Sequence, residues 1–451
     1  MNILRKLFLT SLNLFSLFFL SYVIYRSEIQ WGGERREYYF FYYIISSILI
    51  FFSIITFFLN KKIKDYLAIS AFSILLSFYL FEVYSSLTDQ LGTKSLNLKR
   101  NNMDYDRRTK FEIYKDLKKS NINIKVFIHP ASYLDLKTNF LPLSGISNSE
   151  TIHCNEDGYY SIYYSDRHGF NNPNEEWDKD KVEYLLVGDS FTHGACVNRN
   201  NDIGSVLRNL SKKSVLNLGY TGNGPLMQYA TLREYLNPKI KKVLWIFFEG
   251  NDLIELKKEL SHPVLKNYLN DLNFTQNLKK RQIDIDNFAN ISLEKAIKEE
   301  GKKAKDKYKE EKEENKNLKH KILNFITFKN LRTYLNIQNI IYSIQKKQAD
   351  DQTEFKKILK LVKNLTSNYG SDLYFVYIPD YSRYLIKNPN NRNYFLVKKI
   401  VDDLDIAFID IHEEVLKKEK NPFDLFPFKG GHFNIEGYKK ISETIYKFSK
   451  E

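Results

Sequence analysis

Cysteine is scarce: the 451 residues carry only Cys154 and Cys196. Two cysteines exclude a disulfide-rich scaffold and a four-cysteine zinc site, leaving either two free thiols or a single disulfide. Also absent is a long basic block. The net charge is +14, but the lysines are scattered among asparagines and isoleucines, which argues against nucleic acid and for a surface facing anionic lipid or acidic glycan. Nor does a small-x-small cleavage site follow the first apolar run, so that run reads as an anchor rather than a removable leader. At this length two or three structural units are expected, and 43% hydrophobic residues suffice for a substantial core.

Aromatic residues reach 15% of the chain and many fall in the first ninety positions, where they suit a bilayer. Leu7 to Tyr25 and Tyr38 to Leu59 are each long enough to span at 1.5 Å per residue; Tyr66 to Phe81 is shorter and ends near Glu82. Residues 1–88 are therefore expected to form a membrane anchor of two or three helices. Arg5 and Lys6 before the first run, and Lys61, Lys62 and Lys64 before the third, outweigh Arg26, Arg35 and Arg36. That bias puts the N-terminus inside and the large C-terminal part outside the cytoplasmic membrane. An oxidising compartment would permit a Cys154–Cys196 bond; with Cys196 six residues after Ser190, it would brace that region.

Residues 89–180 read as a linker and a mixed α/β accessory segment, with strand-like stretches at Ile122 to Ile128 and Tyr159 to Tyr164. A polar turn cluster follows from Ser165 to Pro173. From Val182 onward strands alternate with helical patterns. The strand candidates are Tyr184 to Val187, Val215 to Leu218, Val243 to Phe248, Leu373 to Ile378 and Ile406 to Ile411. Such alternation implies a parallel sheet with helices on both faces and ligands at the carboxyl ends of its strands. The rhythm breaks between about residues 256 and 349, where Glu294 to His320 is dense in Lys and Glu; this is a charged helical insertion between the third and fourth core strands.

Polar clusters fall where the strands end. Gly188-Asp189-Ser190 puts a serine at a strand-to-helix turn, where helix N-terminal N–H groups could also stabilise an oxyanion. Asn217 to Pro225 holds glycines that let backbone approach a substrate, and Glu249-Gly250-Asn251-Asp252 offers an amide. A serine hydroxyl needs a base. His193, three residues on along the same helix, would have difficulty folding back, whereas His432 lies in a loop that Asn434 can fix by capping the terminal helix.

In this order the four clusters resemble the four blocks of SGNH hydrolases, the GDSL-type esterases and acetyltransferases, over roughly Lys181 to the C-terminus. Asp166-Arg167-His168-Gly169-Phe170-Asn171 resembles a segment preceding the serine strand in their membrane-anchored, bacterial envelope members. The resemblance implies a three-layer α/β/α, flavodoxin-like domain at residues 181–451. It implies Ser190 as nucleophile, His432 as general base, and an oxyanion hole made by the Ser190 N–H, the Gly222 N–H and the Asn251 side chain, with no metal or organic cofactor. One position departs: where the family commonly has an aspartate three residues before the histidine, this chain has Lys429. The orienting acid must come from elsewhere, with Asp424 nearest upstream and Asp410 another candidate, or give way to a backbone carbonyl. The expected activity is hydrolysis of an O-acyl, typically O-acetyl, ester on an acylated carbohydrate or other small ester. Alternatives are O-acetyl transfer to an envelope polysaccharide, which would need an acyl-donor membrane partner, and an inactive SGNH-like module that binds glycan or scaffolds an assembly.

Overall fold

The computed structural model describes residues 2–30, 32–33, 36–88, 106, 108–136, 138–314, 325–334, 352–384, 392–427 and 431–450. Two compact units emerge, one comprising Met1–Gly92 with Lys309–Gln348 and the other Thr93–Tyr308 with Ala349–Glu451.

The first unit holds α1 (Asn2–Ile24), α2 (Arg36–Phe58) and α3 (Lys61–Thr88). Three stretches, Arg5–Gln30, Tyr39–Phe58 and Lys61–Ser85, are long and apolar enough to cross a membrane, so the third run extends well beyond its expected limits. Their large side chains, Phe18, Phe51 and Phe58 among them, point outward, while Ser16, Ser46, Ser53 and Thr56 are buried between helices. Helices in lipid gain nothing from burying Leu against Leu, so small and hydrogen-bonding residues supply close approach. Ser53 donates to Asn13 Oδ1 at 2.5 Å, and Arg5 pairs with Asp65 at 3.0 Å. Part of the charged insertion belongs to this unit. Phe325 and Phe328 stack against Tyr79, and the Leu331 N–H, in α11 (Lys329–Tyr334), donates to Glu82.

In the second unit α4 (Lys110–Leu117) precedes a small sheet of β1 (Ile124–Val126), β2 (Glu150–Asn155) and β3 (Tyr160–Tyr164). There β1 pairs parallel and β3 antiparallel to β2. Strand β2 lies in a stretch whose sequence gives no strand signal. The large sheet contains β4 (Val182–Gly188), β5 (Val215–Asn217), β6 (Ile240–Phe248), β7 (Asp372–Ile378) and β8 (Ala407–Asp410). It is wholly parallel, in the order β5-β4-β6-β7-β8. That is the flavodoxin-like order 2-1-3-4-5, whose switch point lies between the carboxyl ends of its first and third strands, here β4 and β6. The central strands are buried on both faces and so read as continuous apolar runs.

Connecting the strands are α5 (Ser190–His193), α6 (Ile203–Ser211), α7 (Pro225–Tyr235), α8 (Asp252–Glu259), α9 (Pro263–Asn270), α10 (Gln282–Glu314), α12 (Gln352–Asn368), α13 (Arg392–Asp403), α14 (Ile411–Glu414) and α15 (Ile435–Ser449). One core, under α7, α12 and α13, includes Leu226, Trp245, Phe355 and Val397; the other, under α6 and α15, includes Leu186, Leu207, Ile441 and Ile445. The layers are those of the expected α/β/α fold.

The first part of the insertion packs into the domain. Leu256, Leu265, Tyr268, Leu278 and Ile285 join the first core, and Asp286 on α10 accepts from the Ser147 N–H and hydroxyl at 2.8 and 2.7 Å. Residues 89–180, expected as linker and accessory segment, contribute the small sheet, and the compact unit continues across residue 181 without division.

Candidate active site

Strand β4 ends where Gly188 meets β6: a Cβ there would lie 2.5 Å from the Ile246 carbonyl and 2.1 Å from Thr192 Oγ1, so only glycine fits. Asp189 then caps α5, its Oδ1 accepting from the Phe191 N–H at 3.0 Å, and Ser190 becomes the first helical residue. The Asp166 segment braces this elbow. Buried Asp166 accepts from the His168 and Phe170 N–H groups, Asn172 Nδ2 and Trp177 Nε1 at 2.8–3.0 Å. Asn172 in turn exchanges hydrogen bonds with the Asn217 backbone, and Asn171 donates to the His193 carbonyl at 3.0 Å. The turn cluster thus ties the small sheet's exit to the ends of β5 and α5.

Ser190, Gly222 and Asn251 follow β4, β5 and β6, at the switch point. The Ser190 hydroxyl donates to Asp189 Oδ2 at 3.2 Å. Asn251 donates to Glu255 Oε1 at 3.0 Å and its side chain also bonds Asp189. Asp189 therefore holds both the serine and the asparagine, and either can serve a reacting carbonyl only by exchanging that bond. Gly222 sits at φ +87°, in the left-handed region that favours glycine. Neither the Ser190 N–H nor the Gly222 N–H donates to a protein acceptor among the described residues.

Beneath them is a buried group of acids. Glu259 accepts from the Gly224, Leu226 and Met227 N–H groups at 2.6–3.3 Å, capping α7 and fixing the Gly222 loop. Asp252 accepts from the Phe248 N–H at 3.0 Å. Burial pushes Asp189 and Asp252 upward, Glu255 to about 8 and Glu259 to about 7.

His432 is held by an acid that the sequence did not suggest. Glu156, in the turn after β2, faces the His432 ring at Nδ1 across 3.1 Å through Oε1 and accepts the His432 backbone N–H at 2.6 Å through Oε2. Burial lowers the imidazole's pKa, but the Glu156 hydrogen bond and charge, with Asp189, outweigh it and leave the pKa raised. Asp424 does not take this place: its Oδ1 accepts from Asn421 Nδ2 at 2.7 Å, while its carbonyl accepts from Asn434, which caps α15 and pins the histidine loop. Asp410 caps α14 and accepts from Tyr394. Lys429 lies outside the described residues.

The Cys154–Cys196 disulfide is formed. It ties β2, two residues before Glu156, to the loop after Ser190, and Cys196 Sγ lies 3.9 Å from His432 Nδ1. Glu156, Cys196 and His432 put donor atoms within 4.8 Å of one another. A disulfide sulfur is no thiolate, which leaves two protein ligands where a catalytic zinc takes three. His193, buried among Phe127, Tyr163, His153 and Tyr220, is lowered to about 3 by burial and is no base.

Ser190, Gly222 and Asn251 follow the ends of β4, β5 and β6, and the His432 ring packs against Phe191, next to the serine in sequence, with centroids 4.9 Å apart. The fold is a three-layer α/β/α arrangement on a parallel sheet of flavodoxin-like order. No protein-family model matches the chain, and no curated protein matches it. Solved structures similar to this chain include a G-D-S-L family protein from Desulfitobacterium hafniense (13% identity, TM-score 0.30, 59% of this chain and 99% of that one). Another is an acetyl xylan esterase (10%, 0.33, 59% and 98%). A third is an acetylxylan esterase from Geobacillus stearothermophilus (12%, 0.31, 60% and 97%). At such values their chemistry does not transfer, and the strand-end geometry alone speaks for this chain.

Proposed function

We propose that the protein is a membrane-anchored serine esterase that removes an O-acyl group, typically O-acetyl, from an acylated carbohydrate or small ester in the cell envelope. The observation that carries this reading is the two-point grip of Glu156 on His432, which puts the Nδ1 proton toward the carboxylate and leaves Nε2 as a base. On substrate binding the serine hydroxyl exchanges Asp189 for His432. Its oxygen attacks the ester carbonyl while its proton passes to Nε2, and the oxyanion is met by the Ser190 and Gly222 N–H groups with the Asn251 amide. His432 then protonates the departing alcohol, and a water deprotonated by the same nitrogen attacks the acyl-serine, releasing the acid and restoring the hydroxyl.

In this reading the three apolar helices hold the enzyme in the bacterial inner membrane with the catalytic unit outside. The test is p-nitrophenyl acetate hydrolysis by the full-length protein in detergent. Ser190→Ala is expected to leave only background turnover, and activity equal to wild type in that variant would reject the assignment.

A further inference from the structure

We propose that Glu255 is a positioning residue for the oxyanion hole: it accepts one N–H of the Asn251 side chain and so keeps the amide turned to offer its nitrogen, not its oxygen, to the reacting carbonyl. This rests on the esterase reading above.

Asn251 stands at the N-cap of α8, where an asparagine oxygen ordinarily accepts from a backbone N–H two or three residues on. It makes no such bond. Instead its Nδ2 donates to Glu255 Oε1 at 3.0 Å, and the backbone repeats the link, the Glu255 N–H donating to the Asn251 carbonyl at 2.9 Å. Residues four apart on a helix share a face, so the contact is built into the first turn of α8. An amide nitrogen carries two N–H groups, and with one on Glu255 the second is left for the oxyanion. Asn251 Oδ1 is buried and has no partner among the described residues, so the amide is oriented from its nitrogen side alone.

Glu255 is itself placed by the site. Its Cβ lies 2.7 Å from where a Cβ on Gly224 would stand, so the loop that carries Gly222 rests on it. Glu259, one turn further along α8, accepts the Gly224 N–H at 2.6 Å. One helix face therefore sets both the asparagine and the glycine donors. A carboxyl keeps an acceptor oxygen whether or not it carries a proton, so the bond from Asn251 requires an acceptor rather than a charge. Turned over, the amide would lose that bond and set an oxygen, not a donor, before the developing negative charge. A donor matters most where charge develops, so the effect falls on the transition state rather than on substrate affinity.

The test uses the full-length protein in detergent, p-nitrophenyl acetate, and a boronic acid that adds to serine as a tetrahedral mimic. Glu255→Met fills a similar space without an acceptor; it is expected to lower kcat by about 10- to 100-fold, less than deleting an oxyanion donor outright. KM should stay within about twofold, and boronate affinity should fall in parallel with kcat. Glu255→Gln keeps an acceptor oxygen, although its own amide can also turn, and should recover part of the loss. In an Asn251→Ala background Glu255→Met should cost no more than about a further twofold, since the group it positions is gone. Wild-type kcat in Glu255→Met overturns the proposal, as does equal loss in the Met and Gln variants or a loss of full size in the Asn251→Ala background. If Ser190→Ala also keeps its activity, the esterase reading has failed; if Ser190→Ala is silent while Glu255→Met is unaffected, only the positioning role has failed.

Discussion

Glu156→Gln is the sharpest perturbation of the proposed site, because the replacement is nearly isosteric and its effect follows from hydrogen-bond bookkeeping. The carboxylate meets two groups, the His432 backbone N–H at 2.6 Å and the ring nitrogen Nδ1 at 3.1 Å. The backbone N–H can only donate, so it will claim the glutamine carbonyl. That turns the amide NH2 toward Nδ1, which must then accept, placing the ring proton on Nε2 where it blocks removal of the serine proton. Losing a charge-assisted hydrogen bond alone costs about 1.5–3 kcal/mol, or about 10- to 150-fold. Imposing the wrong tautomer raises the expected loss in kcat to about 10³- to 10⁴-fold. Glu156→Ala, which leaves the ring free to choose its tautomer, should be the less impaired of the two.

The pH profile adds a second sign. In the wild type Glu156 raises His432 above its ordinary value of 6.5, so kcat/KM should fall on acidification with an apparent pKa above that value. In either variant the acid limb should move down. The assay is p-nitrophenyl acetate hydrolysis by full-length protein in detergent from about pH 5 to about pH 9. Glu156→Gln activity within about threefold of wild type, with an unmoved acid limb, would refute the role of the glutamate.

The Cys154–Cys196 bond closes a loop with a sequence separation of 42 residues, worth up to about 4 kcal/mol if its effect is loop entropy. Cys154→Ser, or incubation with reductant, should lower the thermal midpoint and, by loosening Glu156, lower activity below the melting range; unchanged kcat in the reduced protein would count against that coupling. Stability should also fall as pH rises. Glu259 is fully buried and its pKa is raised from 4.5 to about 7, so between those values the folded state keeps a proton that the unfolded chain has lost. Folding is thus fully favoured by this group below about pH 4.5 and loses about 3 kcal/mol by the time pH passes 7. Thermal denaturation at pH 5 and pH 8 should show the decline, and Glu259→Gln should flatten it; an equally steep slope in the variant would assign the effect to other groups.

Ser190, Gly222, Asn251 and His432 could be proposed from sequence because each sits beside a local signal: an apolar strand breaking into a glycine turn, or a capped terminal helix. The parallel sheet was legible for the same reason, since strands buried on both faces leave continuous apolar runs. Glu156 was not, because a turn glutamate in a weakly patterned segment carries no local mark and stands 276 residues before the histidine. A usable signal did exist. If Cys154 bonds Cys196, six residues after Ser190, then whatever lies two residues after Cys154 is brought to the same place. The buried residues of the insertion, from Leu256 to Ile285, come before the Lys- and Glu-rich stretch that begins at Glu294, so the charge that marks the insertion does not mark the part that packs.

The turn after β2 has a consequence for how such a protein can be inherited or dissected. Sequence pattern alone would draw a domain edge at Lys181, yet the carboxylate that grips His432 and one half of the disulfide lie before it. A fragment beginning at that edge would keep the serine, the glycine and the late histidine, and to a motif search it would look complete. It would lack what makes them work together. The small sheet is therefore bound to the large one, and on the proposed reading recombination that separated the two would leave the serine and histidine motifs without the residues that hold them together.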